Sequence, residues 1–549
     1  MTTSIYNASA QEAAVATPTS PRNAESPVAA KAQGTINARL QTAPVEPVRT
    51  LWSRFLILVL CMAMVLSTIA FGTVHSWSLA IFQFGAAVIV VLWCMDGWRS
   101  RNLRLSFNPL QLPLVGLLLC GVAQLWPVSG ANGNSSALSS IKTLSLDPYA
   151  TRLALMQILA LTIYFAAALA FIDSPRRLRL MVRVISIFGF VLAIFGLIQF
   201  FTSPTKIYWF RQPPQSIPFG PFINRHHFAG YMEMTLALPL GLLFSGAIEG
   251  DKRLLYAFAA GIMAVALVMT GSRGGIVSLT AAVFFLLVIA GARRRRRRRR
   301  KGGGKREAES TADEVADERR QRVQSALVRA GIGFGLMTML LLGVIWLGGE
   351  SALSRLVGTV NADDPTTGRT HFWGVTLDII RHYPVLGTGL GSFGLAYTQY
   401  DSGGGLMRVE QAHNDYLQVL SDAGIVGAAF GLFFLVALFR MSFARRESED
   451  KFRRGVAIGA LTGCFAVLVH SFFDFTLHTT SNALLFLIMA ALATLNGRVE
   501  STPAGSSRRR RRRSSRTDET AIGTQTDATN SAVPDTSVAP PELATQNEG

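Results

Sequence analysis

Twelve stretches of mostly apolar residues, each long enough to cross a bilayer, constrain this chain more than any other feature. They run over 55–73, 77–95, 110–126, 153–172, 184–201, 228–247, 254–270, 274–291, 327–347, 419–439, 455–473 and 481–496. A spanning helix needs roughly 20 such residues, because about 30 Å of hydrocarbon is covered at about 1.5 Å per residue. The runs are continuously apolar instead of alternating, which excludes an outer-membrane barrel, and open strands would leave edge groups unsatisfied in lipid. Composition agrees: 50% of the residues are hydrophobic and 16% are charged, against about 25% charged in a soluble domain. Four cysteines in 549 residues exclude a disulfide scaffold. The expected fold is therefore an all-α membrane protein of about 12 transmembrane helices, with a large, partly helical outside loop, 348–418, between spans nine and ten.

The domain plan follows from composition. Residues 1–51 and 498–549 are polar and read as disordered tails, and the first of them lacks the short apolar core of a signal peptide. Residues 52–291 hold helices one to eight, 292–326 form a basic loop, and 327–497 hold helices nine to twelve. Lys and Arg then set the orientation. With the N-terminus inside, 43 of the 53 basic residues fall in inside segments and nine in outside ones, with Arg152 at a boundary. The tracts Arg293 to Arg300 and Arg508 to Arg513 both land inside. They account for most of the net charge of +19. They suit orientation and contact with anionic membrane lipids, and no nucleic-acid partner is expected.

All eight histidines sort to the opposite, outside face. Histidine exchanges a proton near neutral pH, so the pattern points to a polar site there. Three outside segments are richer than connectors need. The first, 202–233, carries Arg211 and opens the sixth span with Asn224, Arg225, His226 and His227. The second is the tight turn TGSRGG at 270–275, whose Gly271, Gly274 and Gly275 permit a backbone conformation other residues resist and which sets Arg273 beside a helix N-terminus, where anions are favoured. The third contains GRTHFW at 368–373, the run HYPVLGTGLGSF at 382–393, and QAHNDYLQVLSDAGIVG at 411–427.

Each segment has a plainer reading. Arg273 could anchor to headgroups. Asn414 or Asp415 could simply cap the following helix, which gives His413 no role. GTGLGSF follows a helix-like stretch instead of a strand, so it is a poor nucleotide loop. The histidines lack HExxH spacing and nearby cysteines, so neither a metal nor another cofactor is expected. What remains is a set of arginines with histidine. Arginine binds phosphate in a fixed fork and neutralises a departing diphosphate, and histidine can take a proton from an attacking hydroxyl.

The motifs NRHHFAG at 224–230, TGSRGG at 270–275, GRTHFW with GTGLGSF over 368–393, and HNDYLQ with GIVG over 413–427 resemble the O-antigen ligase/polymerase family of bacterial envelope glycosyltransferases. The resemblance spans roughly 180–440. It implies a multi-pass enzyme of the bacterial inner (plasma) membrane, with both termini cytoplasmic and a periplasmic active site. Such an enzyme is an inverting, metal-independent glycosyltransferase. It moves a glycan from a polyprenyl-diphosphate-linked donor to an acceptor hydroxyl on lipid A-core or a growing glycan, in lipopolysaccharide or exopolysaccharide assembly. It works as a ligase, or alternatively as a polymerase. Carried over by position, Arg273 and Arg369 hold the diphosphate and His413 is the general base. Asn224, Arg225, His227, Arg211, Asn414 and Asp415 are the expected substrate-binding residues. Asp415 either orients His413 or caps its helix, and His226 departs from the family's usual Asn. A transporter of a lipid-linked glycan is the competing class, but it would place ionisable groups inside the spans, and those carry almost none.

Overall fold

The computed structural model describes residues 50–127, 143–214, 216–302, 368–402, 409–445, 448–495 and 499. Their regular secondary structure is all helical, with a few isolated bridges and no strand among the described residues. In chain order the helices are α1 (Leu51–Ile69), α2 (Ser76–Ser100), α3 (Gln111–Gln124), α4 (Pro148–Phe171), α5 (Pro175–Thr202), α6 (Arg225–Ser245), α7 (Lys252–Met269), α8 (Arg273–Gly302), α9 (Arg369–His382), α10 (Phe393–Tyr400), α11 (Asp415–Arg445), α12 (Lys451–His470) and α13 (Thr480–Thr494). Eight of them, α1, α2, α4, α5, α6, α7, α11 and α12, are long and apolar enough to cross a membrane. Shorter apolar helices are α3, the Arg273–Ile289 part of α8, and α13. Eleven of the twelve apolar stretches thus coincide with helices, which makes this a multi-pass membrane protein. The ninth stretch, 327–347, lies outside the described residues, as do 1–49, 303–367 and 500–549, so the tails, most of the basic loop and the start of the outside loop fall there too.

The helix starts are written locally. Thr50, Asp147, Asn224, Asn414 and Asp450 each accept a backbone N–H of the first turn with the side chain. That satisfies donors the helix itself leaves open.

Helices α6 and α12 form the centre. In each, 78% of the residues of the apolar stretch are buried, against 22–44% in the other six spans. Their contact is a glycine ladder. Gly455, Gly459 and Gly463 recur every fourth residue along α12 and face the α6 backbone. A Cβ on Gly459 would sit 2.6 Å from the Ala237 carbonyl oxygen and 3.0 Å from Leu238 Cα. One on Gly463 would sit 3.1 Å from Met234 Cα. Lipid gives apolar helices no hydrophobic reason to associate, so small residues that admit close backbone packing supply the contact.

The bundle has two chemically different ends. At one, Arg104 bridges Asp96 (3.2 Å) and Asp173 (2.8 Å), Arg177 reaches Asp173 (3.1 Å), and Thr50 hydrogen-bonds Asp96. Arg453 donates to the last carbonyls of α13, and Asn108 reaches Thr494 at the same end. Lys451 pairs with Glu249 there. At the other end, Thr480 donates to the Thr73 carbonyl, and the starts of α6, α8, α11 and α13 meet the end of α12. The loops sorted inside by their Lys and Arg gather at the first end, and the histidine-bearing segments at the second.

One span is broken. In α11, Gly424 adopts φ 60° and ψ −160°. The carbonyls this releases, Ser421 and Asp422, accept from Thr388 N (2.8 Å) and Gly389 N (3.1 Å). The freed Ile425 N–H donates to the Pro384 carbonyl at 2.9 Å. Irregular backbone at membrane depth persists only when another protein segment satisfies it, and here the Gly-rich run 384–391 does so.

A side chain on Gly459 should disrupt the fold, at a cost of about 1–3 kcal/mol or more for overpacking. Gly459→Val is expected to lower the thermal midpoint and the monodisperse fraction in detergent. Gly431→Ala, where a Cβ meets nothing within 4 Å, should leave both unchanged or raised.

Candidate active site

The site is built around one buried carboxylate. Asp474 sits in the turn after α12 with a side chain only 1% exposed. Its Oδ1 lies 3.3 Å from His413 Nδ1. Its Oδ2 lies 3.5 Å from Arg369 Nη2 and 3.8 Å from His226 Nδ1. Burial acts to raise the pKa of Asp474, but the His413 hydrogen bond and the neighbouring imidazoles outweigh it and hold the carboxyl below its usual range. Asp474 is therefore an anion, and an imidazole N–H facing it leaves the opposite ring nitrogen as the basic one.

His413 is held tightly. Its φ of +51° is rare for a residue with a side chain, and such strain clusters at functional positions. Phe372 of α9 lies against its ring at 5.9 Å and Phe475 meets it edge-on at 4.8 Å. Trp373 Nε1 donates to the carbonyl of Ala412, whose own N–H donates to Gln418 Oε1 at 2.7 Å. The next residue, Asn414, is the helix cap, accepting from Tyr416 N (3.0 Å) and Leu417 N (3.1 Å).

Asp415 faces away from His413. Its carboxylate takes His478 Nδ1 (2.8 Å), Ser471 Oγ (2.7 Å) and the Leu477 N–H (3.3 Å). Burial pushes the His478 pKa down, but the hydrogen bond and charge of Asp415 overcome that and raise it. Asp415 therefore braces the 471–478 turn that carries Asp474.

The other expected residues fall as follows. Asn224 caps α6 by accepting from His226 N at 2.9 Å, and Arg225 is the first residue of that helix. His227 is buried, with Nδ1 2.8 Å from Thr479 Oγ1. Arg273 opens α8 with an exposed side chain. In TGSRGG only Gly271 uses a left-handed φ (+64°). Gly274 and Gly275 serve close packing instead, since a Cβ on Gly274 would meet the His470 ring at 2.8 Å. Arg211 is held apart from Asp474 by a different contact, its guanidinium 4.9 Å over the Phe71 ring.

The GTGLGSF run is a structural clamp. Leu390 N donates to Gln124 Oε1 (2.9 Å) and Gly391 N to Asp422 Oδ2 (3.1 Å). With Thr388 and Gly389 bonded to α11, these amides are occupied by protein and do not form a phosphate cradle.

Sequence reading missed four members of this cluster. Asp474 and Ser272 were not singled out, Glu233 was passed over inside a span, and His470 figured only as one histidine among eight. Glu233 and His470 are both fully buried and meet at 2.8 Å, so the spans do hold an ionisable pair. The available signal was an acid close to histidines at the outside end of a span, in the run HSFFDFTLH.

Residues 258–432 match the family model described as O-Antigen ligase, Wzy_C. Arg273, Arg369 and His413 lie within the match, whereas Glu233, His470 and Asp474 lie outside it. No curated protein matches the chain at a significant level.

Because the His478 pKa is raised, its pairing with Asp415 stabilises the fold fully below the unfolded value of about 6.5 and is lost as pH rises through the folded value. Asp415→Asn should cost about 1–3 kcal/mol at low pH through lost hydrogen bonds. Thermal melts across pH should show the gap to wild type narrowing as pH rises.

Proposed function

We propose that this protein is a metal-independent, inverting glycosyltransferase of the bacterial inner membrane. It transfers a glycan from a polyprenyl diphosphate carrier to an acceptor hydroxyl at the periplasmic face, as a polysaccharide ligase or polymerase. The O-antigen ligase match supports the class. The observation that carries the mechanism is His413 Nδ1 against the buried Asp474 carboxylate, with Arg369 on the other oxygen.

In this reading Asp474 fixes the His413 tautomer and leaves Nε2 to take the acceptor proton. The acceptor oxygen bonds to the anomeric carbon as the bond to the carrier phosphate breaks. Arg273 and Arg369 neutralise the departing diphosphate, with Asn224, Arg225 and His227 at the start of α6 as further substrate contacts and Asn414 holding the His413 turn. Ring contacts from Phe372 and Phe475 keep His413 from rotating away. The orientation with both termini cytoplasmic puts the Asp96, Arg104 and Arg453 end on the cytoplasmic side, as the excess of positive charge favours.

A gene-deletion strain complemented with variants tests this. His413→Ala and Arg273→Ala should each lower surface polysaccharide by about 100-fold or more at normal membrane levels of the protein. Normal polysaccharide in both would refute the mechanism. Carrier-linked polymer accumulating in the deletion strain indicates a ligase, and single repeat units on the acceptor indicate a polymerase.

A further inference from the structure

Behind the site lies a pair of groups that the transfer step leaves unused. Glu233 sits eight residues into α6, about 12 Å along the helix from its start. It and His470 are each 0% exposed, with Oε1 2.8 Å from Nδ1. The other carboxylate oxygen, Oε2, is buried with no hydrogen-bond partner. An ionisable group at such depth is costly, and inside a membrane it usually marks function.

The pair is wired to the surface. His470 Nε2 lies 3.4 Å from Ser272 Oγ, and Ser272 Oγ lies 2.7 Å from His226 Nδ1. The Gly275 N–H already occupies one lone pair of Ser272 Oγ at 3.2 Å. A hydroxyl has one hydrogen and two lone pairs, so only one lone pair and the hydrogen remain for two imidazoles. One imidazole must therefore donate to Ser272 and the other accept from it. With Glu233 as carboxylate, His470 carries its hydrogen on Nδ1 and accepts at Nε2. His226 then donates from Nδ1, and its Nε2 is a free base on a side chain 21% exposed.

We propose that His226, Ser272, His470 and Glu233 form a proton relay that receives the proton released by glycan transfer. The acceptor proton taken by His413 Nε2 leaves that nitrogen through solvent at the site and is bound at His226 Nε2, and the His226 Nδ1 proton moves to Ser272 Oγ. Ser272 passes its own hydrogen to His470 Nε2. The relay ends as a His470 imidazolium against the Glu233 carboxylate, with atoms and charge conserved, and it resets by the reverse path. His226 and His413 flank opposite oxygens of Asp474, so the relay starts beside the base that takes the acceptor proton. The charged and titratable groups facing His470 are Glu233, His226 and His227 from α6, Asp474 from its own turn and Asp415 from α11. Those facing His226 are Asp474, Arg225, His470 and Arg369. Glu233 is thus the residue that gives a proton on His470 its direct counter-ion.

The proposal rests on the transfer reading, and its test separates the two. Full-length protein labelled with nitrogen-15 histidine and embedded in bilayers is compared by solid-state NMR near pH 6, where histidine protonation is resolved. Glu233→Gln keeps the side-chain volume and an acceptor for His470 but removes the charge, and His470→Gln identifies the His470 signals. As the pH is lowered through this range the wild type should convert His470 from the neutral form with its hydrogen on Nδ1 to an imidazolium, a conversion that Glu233→Gln lacks. An identical His470 protonation state in both overturns the relay. In the complemented deletion strain, Ser272→Ala should slow the appearance of labelled surface glycan about tenfold, with Ser272→Thr restoring it. A Ser272→Ala rate equal to wild type also overturns the relay. If wild-type protein itself fails to restore glycan, the transfer reading falls, and the NMR comparison still decides the relay.

Discussion

The contact on which the rest depends is the approach of α12 to α6 along Gly455, Gly459 and Gly463. Each glycine places backbone where a side chain would otherwise stand, and the two helices become the most buried spans of the bundle. Their antiparallel packing then fixes which ends meet. The start of α6, with His226 and His227, comes against the end of α12, with His470 and the turn that bears Asp474. The Glu233–His470 contact is possible only because the axes are this close. A bulkier seam would separate the members of the cluster, since none of them is anchored by local chain alone.

The second device is the break in α11. An unbroken helix from Asp415 to Arg445 would have used the Ser421 and Asp422 carbonyls internally. Gly424 releases them, and the glycine-rich run from the preceding loop binds there. A chain of contacts follows. Gln124 on α3 holds Leu386, Leu390 and Asp422, Asp422 accepts Gln418, and Gln418 holds the Ala412 amide next to His413. The glycines that look like a phosphate loop instead secure the segment preceding a histidine at φ +51°. Irregular backbone at membrane depth is thereby turned into a mount for the site.

How much of this was legible follows from the range of each signal. Span positions and the division of charge were readable because both are sums over many residues. The HND element, Arg273 and Arg369 were readable because they sit in recognisable runs of sequence. Asp474 and Glu233 were not, because each is a single acid in an apolar neighbourhood whose meaning comes from a partner 61 or 237 residues away. Asp415 illustrates the same limit. It is two residues from His413 in sequence, yet its carboxylate serves His478, while the acid that faces His413 arrives from another helix end. Spacing also misjudged Gly274 and Gly275, which look like turn residues and act as packing residues on α8.

Charge itself divides into two roles. The arginines that dominate the net charge lie at the end of α8 away from Arg273 or in the segments beyond the described residues. The electrostatics of the site rest on far fewer groups. A buried anion at Asp474 needs compensating charge, and Arg369, His226 and His413 surround it. The 3.5 Å separation from Arg369 is longer than a strong charge-assisted hydrogen bond of about 2.7–2.9 Å. Under the transfer reading, an incoming diphosphate competes with Asp474 for that guanidinium. Binding the donor then strips positive charge from Asp474 and leaves its pull concentrated on His413 and His226. Donor binding and the seating of both imidazoles are thereby coupled through one carboxylate.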